Sequence, residues 1–455
     1  MNLLGLAEPR LHKEYASVML TVAVPVVLQN LISIGLNLVD VLMIGRLGVN
    51  ELAAVGAANR IYSIFGMICF GLISGFSVYI AQYWGLKDIK SIRKVYGLAL
   101  TSMLSVAMLF ILLATFAGRQ LLALFLQDQA VVELGLQYLN IAMFSYPFMA
   151  YSFCTGFSSR SIRRLRGATI INALALLTNT LLNYSLIFGN FGMPRLGVVG
   201  AAIATVIARV FEFIMLAAYV YISREHPFAG RLSEIFTFSK TLTHKVFSTT
   251  LPVLVNESSI TLGITLFYVT IRYLGTEALA VMQVSMVIND LFLAIFFGVG
   301  NAVAVITGNE LGRGQIDRSY ANGKLALKIT LLLSLITGGL LLASRGFIVR
   351  IYDFDVYTSA LLSQVLLVRA LFTPSRMLVY VLIVGLLRAG GDTRFCMIVD
   401  AGSVCLIGVP LAFVGTLILH WQLPAVVGLL FSCDLVSLVL CLWRFRSKVW
   451  IKTLI

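Results

Sequence analysis

The sequence is poor in charge. Only 12% of its 455 residues are Asp, Glu, Lys or Arg, about half the share in an ordinary soluble domain. The constellations that carry most enzyme chemistry are also missing. The four histidines, His12, His226, His244 and His420, are not clustered, and the six cysteines, Cys69, Cys154, Cys396, Cys405, Cys433 and Cys441, sit in apolar stretches without paired spacing. Zinc ligation and a Cys–His nucleophile both need such residues in set patterns, so neither a metal site nor thiol catalysis is indicated, and no cofactor is expected. No glycine-rich phosphate loop appears, so any pumping must draw on an ion gradient or a partner. The polar first sixteen residues, followed by a long apolar run, do not fit a cleavable signal peptide.

What is abundant is apolar surface. Hydrophobic residues make up 59% of the chain, and the mean hydropathy is +0.95. This composition belongs to a polytopic membrane protein. Hydropathy predicts twelve spans, near 17–44, 53–84, 95–117, 134–157, 168–188, 197–222, 246–272, 279–310, 325–344, 359–387, 395–418 and 425–443. Of 34 Lys and Arg, six (Arg46, Arg119, Arg195, Arg272, Arg345, Arg350) fall in loops on one side, and four (Arg60, Arg209, Arg369, Arg376) fall within spans. The remaining 24 lie on the other side. Positive loops stay inside, so both termini should be cytoplasmic. The net charge of +14 is mostly this bias, and no nucleic-acid partner is indicated.

The chain repeats itself. PVVLQN at 25–30 matches PVLVNE at 252–257, and at the same spacing of 227 residues Gly48 matches Gly275, Leu52-Ala53 matches Leu279-Ala280 and Gly85 matches Gly312. Farther on, Arg164-x-x-Gly167-x-Thr169 matches Arg388-x-x-Gly391-x-Thr393. Two six-span halves follow: 1–222, then a polar cytoplasmic linker at 223–245, then 246–455. Six is even, so the halves enter from the same side as a parallel repeat, an arrangement that suits alternating access.

Polar groups inside the spans are ordered. Asn30, Ser33, Asn37 and Asp40 share one face of span 1, since positions i, i+3, i+7 and i+10 align on a helix. Asn172, Asn179 and Asn183 align in span 5, and Glu257, Thr261, Thr265 and Tyr268 in span 7. An acid in a span costs about 2.5–3.5 kcal/mol and must face protein or water. Such a carboxyl can exchange a proton; ionised among amide and hydroxyl oxygens, it can hold a sodium ion. Glu212, Asp290, Asp400 and Asp434 are explained as well by helix packing. Pro25 and Pro252 interrupt backbone bonding in spans 1 and 7 and are hinge candidates. Arg369 and Arg376 share a face of span 10, where they pair with acids or bind an anionic group. Met282, Met286, Phe292 and Met377 are candidate cavity residues, since flexible thioethers and rings adapt to varied shapes.

These features together resemble a known family. Pro25 with Gln29-Asn30, Leu38-Val39-Asp40, Ile44-Gly45-x-Leu47-Gly48, Leu52-Ala53-Ala54-Val55-Gly56, Asn179, Gly197-x-x-Gly200-Ala201-Ala202-x-Ala204-Thr205, Gly308-Asn309-x-Leu311-Gly312 and Leu387-Arg388-Ala389-Gly390-Gly391-Asp392-Thr393 look like the multidrug and toxic compound extrusion (MATE) transporters, across nearly the whole chain. The resemblance implies an all-α integral membrane fold of twelve helices in two pseudo-symmetric six-helix lobes forming a V. It implies antiport of drug-like organic cations against protons or sodium. Asp40 matches the family's coupling aspartate, and Asn179 and Thr205 match its neighbours. A second acid of that site is Asn183 here, which removes a titratable group. Glu257 matches a glutamate of the sodium-type branch, but Met377, beside Arg376, stands where that branch has an aspartate. The GGDT run looks closer to the DNA-damage-inducible (DinF-like) branch than to the NorM type.

The sequence thus predicts a monomeric inner-membrane antiporter, not an enzyme, exporting small amphipathic, mostly cationic compounds in exchange for H+ or Na+. The alternatives are a flippase for a lipid-linked or amphipathic metabolite, an anion exporter, and an uncoupled channel or structural membrane protein.

Overall fold

The computed structural model describes residues 9–222, 226–352, 354–452 and 454. The segment before Pro9, Arg224 at the start of the predicted linker, and the side chains of residues 9–14 and 276 lie outside the described residues. Among those described there is no strand, and eleven helices are long and apolar enough to cross a membrane. In chain order the helices are α1 (Pro9–Gly45), α2 (Val49–Leu86), α3 (Ile89–Ala123), α4 (Gln129–Ala142), α5 (Tyr146–Ser161), α6 (Leu165–Phe188), α7 (Gly197–Ile222), α8 (Leu232–Phe236), α9 (Lys240–Arg272), α10 (Thr276–Gly312), α11 (Ile316–Tyr352), α12 (Val356–Tyr380), α13 (Thr393–Gly402), α14 (Val409–Phe413) and α15 (Leu423–Arg446).

The twelfth crossing is the predicted fourth span, and it is broken. A 3-10 turn at Met143–Ser145 separates α4 from α5. Pro147 accounts for the break: it has no N–H for the Met143 carbonyl, and its ring crowds that oxygen. The Ser145 hydroxyl donates instead to the Ala142 carbonyl at 2.6 Å. The tenth and eleventh crossings also depart from regular α-helix. α12 continues as a π-helical stretch, Val381–Leu387, and α13 runs through Ser403–Gly408, α14 and Val414–Ile418. Pro410, at the start of α14, again lacks the N–H that a continuous ladder needs.

The sequence repeat is visible in the backbone. Gly48 and Gly275 each precede the second helix of their half, with φ of 153° and 100°. L side chains rarely adopt such angles, so glycine recurs at this tight entry into the helix.

The chain forms two compact units. One is Leu28–Phe247; the other is Ser248 onward together with the residues up to Val27. The unit boundaries therefore fall inside α1 and α9, close to Pro25 and Pro252, both of which lie within continuous helices. In the first unit Phe65 is fully buried and stacks on Tyr146 at 5.0 Å. In the second, Leu362, Val365 and Leu366 of α12 are fully buried at the centre of a core built with α9, α10, α11 and α15.

The described part of the predicted linker is docked against α3. Arg93 donates to the carbonyls of Pro227 and Ala229 and pairs with Glu234 at 2.6 Å. Phe228 stacks on Tyr96 at 4.5 Å. Gly97 lets the Ile235 carbonyl approach α3 so closely that any Cβ would collide with it.

Candidate functional site

A cavity of about 330 Å³ opens inside the Leu28–Phe247 unit. It is lined from α1 by Asn37, Asp40, Val41 and Ile44, from α6 by Asn179 and Asn183, and from α7 by Thr205 and Arg209. The predicted stripes explain this. Asn37 and Asp40 end the span-1 stripe, Asn179 and Asn183 are one turn apart, and Thr205 and Arg209 are one turn apart. The four N-half cation-site candidates, Asp40, Asn179, Asn183 and Thr205, thus reach one space, joined by Asn37, one of the four N-half cavity candidates.

Asp40 is the one carboxylate among the lining residues. Its Oδ1 accepts a hydrogen bond from the Asn183 amide at 3.0 Å and from the Thr180 hydroxyl at 3.5 Å. The same Asn183 amide group also donates to Asn179 Oδ1 at 3.4 Å, while Asn183 Oδ1 is buried without a partner. Thr205 donates to its own helix, to the Ala201 carbonyl. No described cation forms an ion pair with Asp40.

The remaining N-half candidates stand apart. Ser33 donates to the Gln29 carbonyl, and Asn30 is half-buried; neither lines the cavity. Asn172 belongs to a polar chain instead. Arg160 donates to Gln29, Gln29 to Asn172, and Asn172 to Glu212, which pairs with Arg209 at 2.6 Å. Glu212 is therefore occupied structurally, and the chain ends at Arg209 on the cavity wall.

Sequence reading did not single out Asn59, Tyr62 and Ser63 of α2, Tyr138 of α4, or Arg209 as cavity residues. The signals were present: Asn59, Tyr62 and Ser63 follow i, i+3, i+4 spacing, and Arg209 sits one turn beyond Thr205.

In the other unit, Glu257 does not face an open cation site. It pairs with Arg388 at 2.9 Å, and Arg388 is only 2% exposed. Arg376 pairs with Asp434 at 3.0 Å, and Asp400 accepts from Asn256. Met282, Met286 and Arg376 line a second, smaller cavity; Met377 is buried and Phe292 packs against the core, and neither lines it.

Comparison with known proteins agrees with the repeat. A family model described as MatE matches residues 25–185 and again 252–414, each match beginning at one of the two repeated prolines. The probable multidrug resistance protein YoeA of Bacillus subtilis (strain 168) is 26% identical over 412 residues, spanning 86% of this chain and 85% of that one. A probable multidrug resistance protein NorM of Bradyrhizobium diazoefficiens is 27% identical over 431 residues, 93% of this chain and 90% of the relative. Among solved structures, a MATE protein in the bent conformation superposes with a TM-score of 0.87 at 18% identity, covering 96% of each chain.

Proposed function

The chain belongs to the MatE family and is a transporter rather than an enzyme; on that premise we propose that it is a secondary antiporter exporting amphipathic, mostly cationic organic compounds in exchange for protons. The relatives' names as multidrug resistance proteins support the substrate class. The observation that carries the reading is Asp40: an intramembrane carboxylate, lining a cavity, held by neutral donors and paired with no cation. Such a charge is costly unless a cationic ligand completes it.

The chemistry follows from the donors. Asn183 and Thr180 both approach Oδ1, and Oδ2 takes no hydrogen bond among the described residues. The free oxygen accepts either a proton or the cationic centre of a substrate, and the two exclude each other. Proton binding thus releases the drug, and loss of the proton readies the site for the next. Asn183 carries both a donor and an acceptor, so rotating its amide lets it serve a neutral Asp40 as well as an ionised one. The same rotation would bring Asn183 Oδ1 toward a sodium ion beside Asp40 and Asn179, which makes sodium the second reading for the coupling ion. The transporter works as a monomer in the cell membrane, with both termini cytoplasmic; the Lys and Arg bias of the loops supports that orientation.

The test is ethidium flux in proteoliposomes under an imposed pH gradient and, separately, a sodium gradient. Proton-driven flux that disappears in Asp40→Asn, with the variant still folded, is expected. Unchanged flux in that variant would overturn the assignment, and flux following only sodium would replace the ion.

A further inference from the structure

The second cavity, about 90 Å³, lies wholly within the Ser248–Ile455 part of its unit. Its walls include Tyr268 of α9, Met282 and Met286 of α10, Arg369 and Arg376 of α12, and Phe431 of α15. It is the repeat counterpart of the Asp40 cavity. At the spacing of 227, Asn37 corresponds to Ile264, Asp40 to Phe267, Val41 to Tyr268, Asn59 to Met286 and Tyr62 to Asn289. Both members of every one of these pairs line their cavity. The two cavities differ in charge: a ring, Phe267, stands where the first has its acid, and two arginines line the second where the first has one.

The two arginines differ. Arg376 is neutralised by Asp434. Arg369 is 9% exposed and forms no ion pair among the described residues. Its Nε donates to the Ser285 hydroxyl, its guanidinium lies 5.3 Å from the Phe431 ring centroid, and its two terminal nitrogens have no hydrogen-bond partner among the described residues. The Asp290 carboxylate acts on it electrostatically without forming an ion pair, so the buried guanidinium is only partly compensated. A second group is waiting in the same place: the Tyr268 hydroxyl is buried without a partner. One guanidinium without an ion-pair partner and one idle O–H donor converge on a space walled by Phe267, Phe431, Met282 and Met286.

We propose that this cavity binds a monovalent organic anion, a carboxylate on a flat apolar body. The carboxylate lies between Arg369 and Tyr268, and the body lies against Phe431 and the methionines. The arginine's planar fork matches a carboxylate, and the ring and thioether walls give the apolar part its contacts. The cavity is smaller than the ~150 Å³ that holds benzene, so it houses the head group and the near part of the body. The site is separate from the Asp40 site and does not depend on the cation reading.

Benzoate is the probe, with benzamide as its neutral isostere and chloride as the inorganic control, each titrated calorimetrically against the full chain in detergent. Benzoate should bind measurably and benzamide should not. Loss of the charged hydrogen bonds in Arg369→Met should weaken benzoate at least about tenfold, and Tyr268→Phe should weaken it about fivefold. Arg369→Met should also leave the ligand-free protein as stable as the parent or more so, which a merely structural arginine would not. Asp40→Asn should bind benzoate normally, so failure of the cation reading leaves this result intact. Equal binding of benzamide, undiminished binding in Tyr268→Phe, or full competition by equimolar chloride would overturn the assignment. Should Arg369→Met fail to fold, Tyr268→Phe and the benzamide comparison decide.

Discussion

Glu257 and Asp40 are both acids within spans, and the sequence nominates both for cation coupling, yet they should respond oppositely to neutralisation. Glu257 is 19% exposed and pairs at 2.9 Å with Arg388, itself 2% exposed. Glu257→Gln leaves that guanidinium charged and buried. Removing one partner of a buried pair costs about 3–5 kcal/mol. Glu257 retains some access to water, so the lower end applies, about 3 kcal/mol. For a unit of this size that lowers the melting temperature by roughly 6–12 °C. The cysteines supply the assay: Cys69, Cys154, Cys396, Cys433 and Cys441 are buried free thiols, so a thiol-reactive fluorophore reports unfolding in detergent. Asp40→Asn should leave the same transition unchanged or raise it, because the half-buried carboxylate has no cationic partner to lose and the amide keeps an oxygen for Asn183 and Thr180. The double variant Glu257→Gln/Arg388→Gln should recover at least half of the loss. A Glu257→Gln protein as stable as the parent, or a double variant no better than the single, would refute the assignment of Glu257 to structure.

Glu212→Gln should behave like Glu257→Gln, since Glu212 is 3% exposed and holds Arg209; a melting temperature lowered by several degrees checks it. His226 is outside the spans, and burial, aided by the charge of Arg164, pushes its imidazole down to about 4. The unfolded chain protonates near pH 6.5 while the folded one stays neutral to about pH 4, so stability should fall as pH drops through that window. His226→Phe should flatten the fall in a melting series from pH 7.5 to 4.5. Gly97→Ala places a methyl against the Ile235 carbonyl, so it should undock α8 and free the backbone around the already exposed Arg231, speeding its cleavage by trypsin. Digestion patterns identical to the parent would show that the contact relaxes without undocking.

Much of the architecture was legible before the structure. Span positions follow from apolar runs, the two halves from a repeat spacing that persists through several spans, and the Asp40 cavity from stripes at helical spacing. What escaped was pairing across helices. Nothing local to Glu257 announces Arg388, and nothing local to Arg376 announces Asp434, because partners that meet through packing are separated by 58 or more residues. Asn172 shows the same limit: it shares a helix face with Asn179 and Asn183, yet it turns to Glu212 rather than the cavity, because Arg209 has drawn that acid inward. The break at Met143–Ser145 was readable from Pro147, but hydropathy averages over a kink and reports one span.

The charges within the spans sort themselves by partner. Arg209 with Glu212 within α7, and Arg376 with Asp434 and Arg388 with Glu257 between separate segments, are closed pairs. Asp40 and Arg369 line cavities and form no ion pair among the described residues, although Arg209 shares the Asp40 cavity and the Asp290 carboxylate acts on Arg369 from a distance. A closed pair stabilises only while both members are present, so neutralising one member should destabilise the protein. An open charge bears a desolvation cost in the resting protein that only a ligand relieves, so neutralising it should leave stability unchanged or raised while abolishing ligand response. The two open charges have opposite sign and occupy counterpart cavities of a duplicated chain. The sign of the stability change on neutralisation therefore separates ligand-binding charges from structural ones before any natural substrate is known.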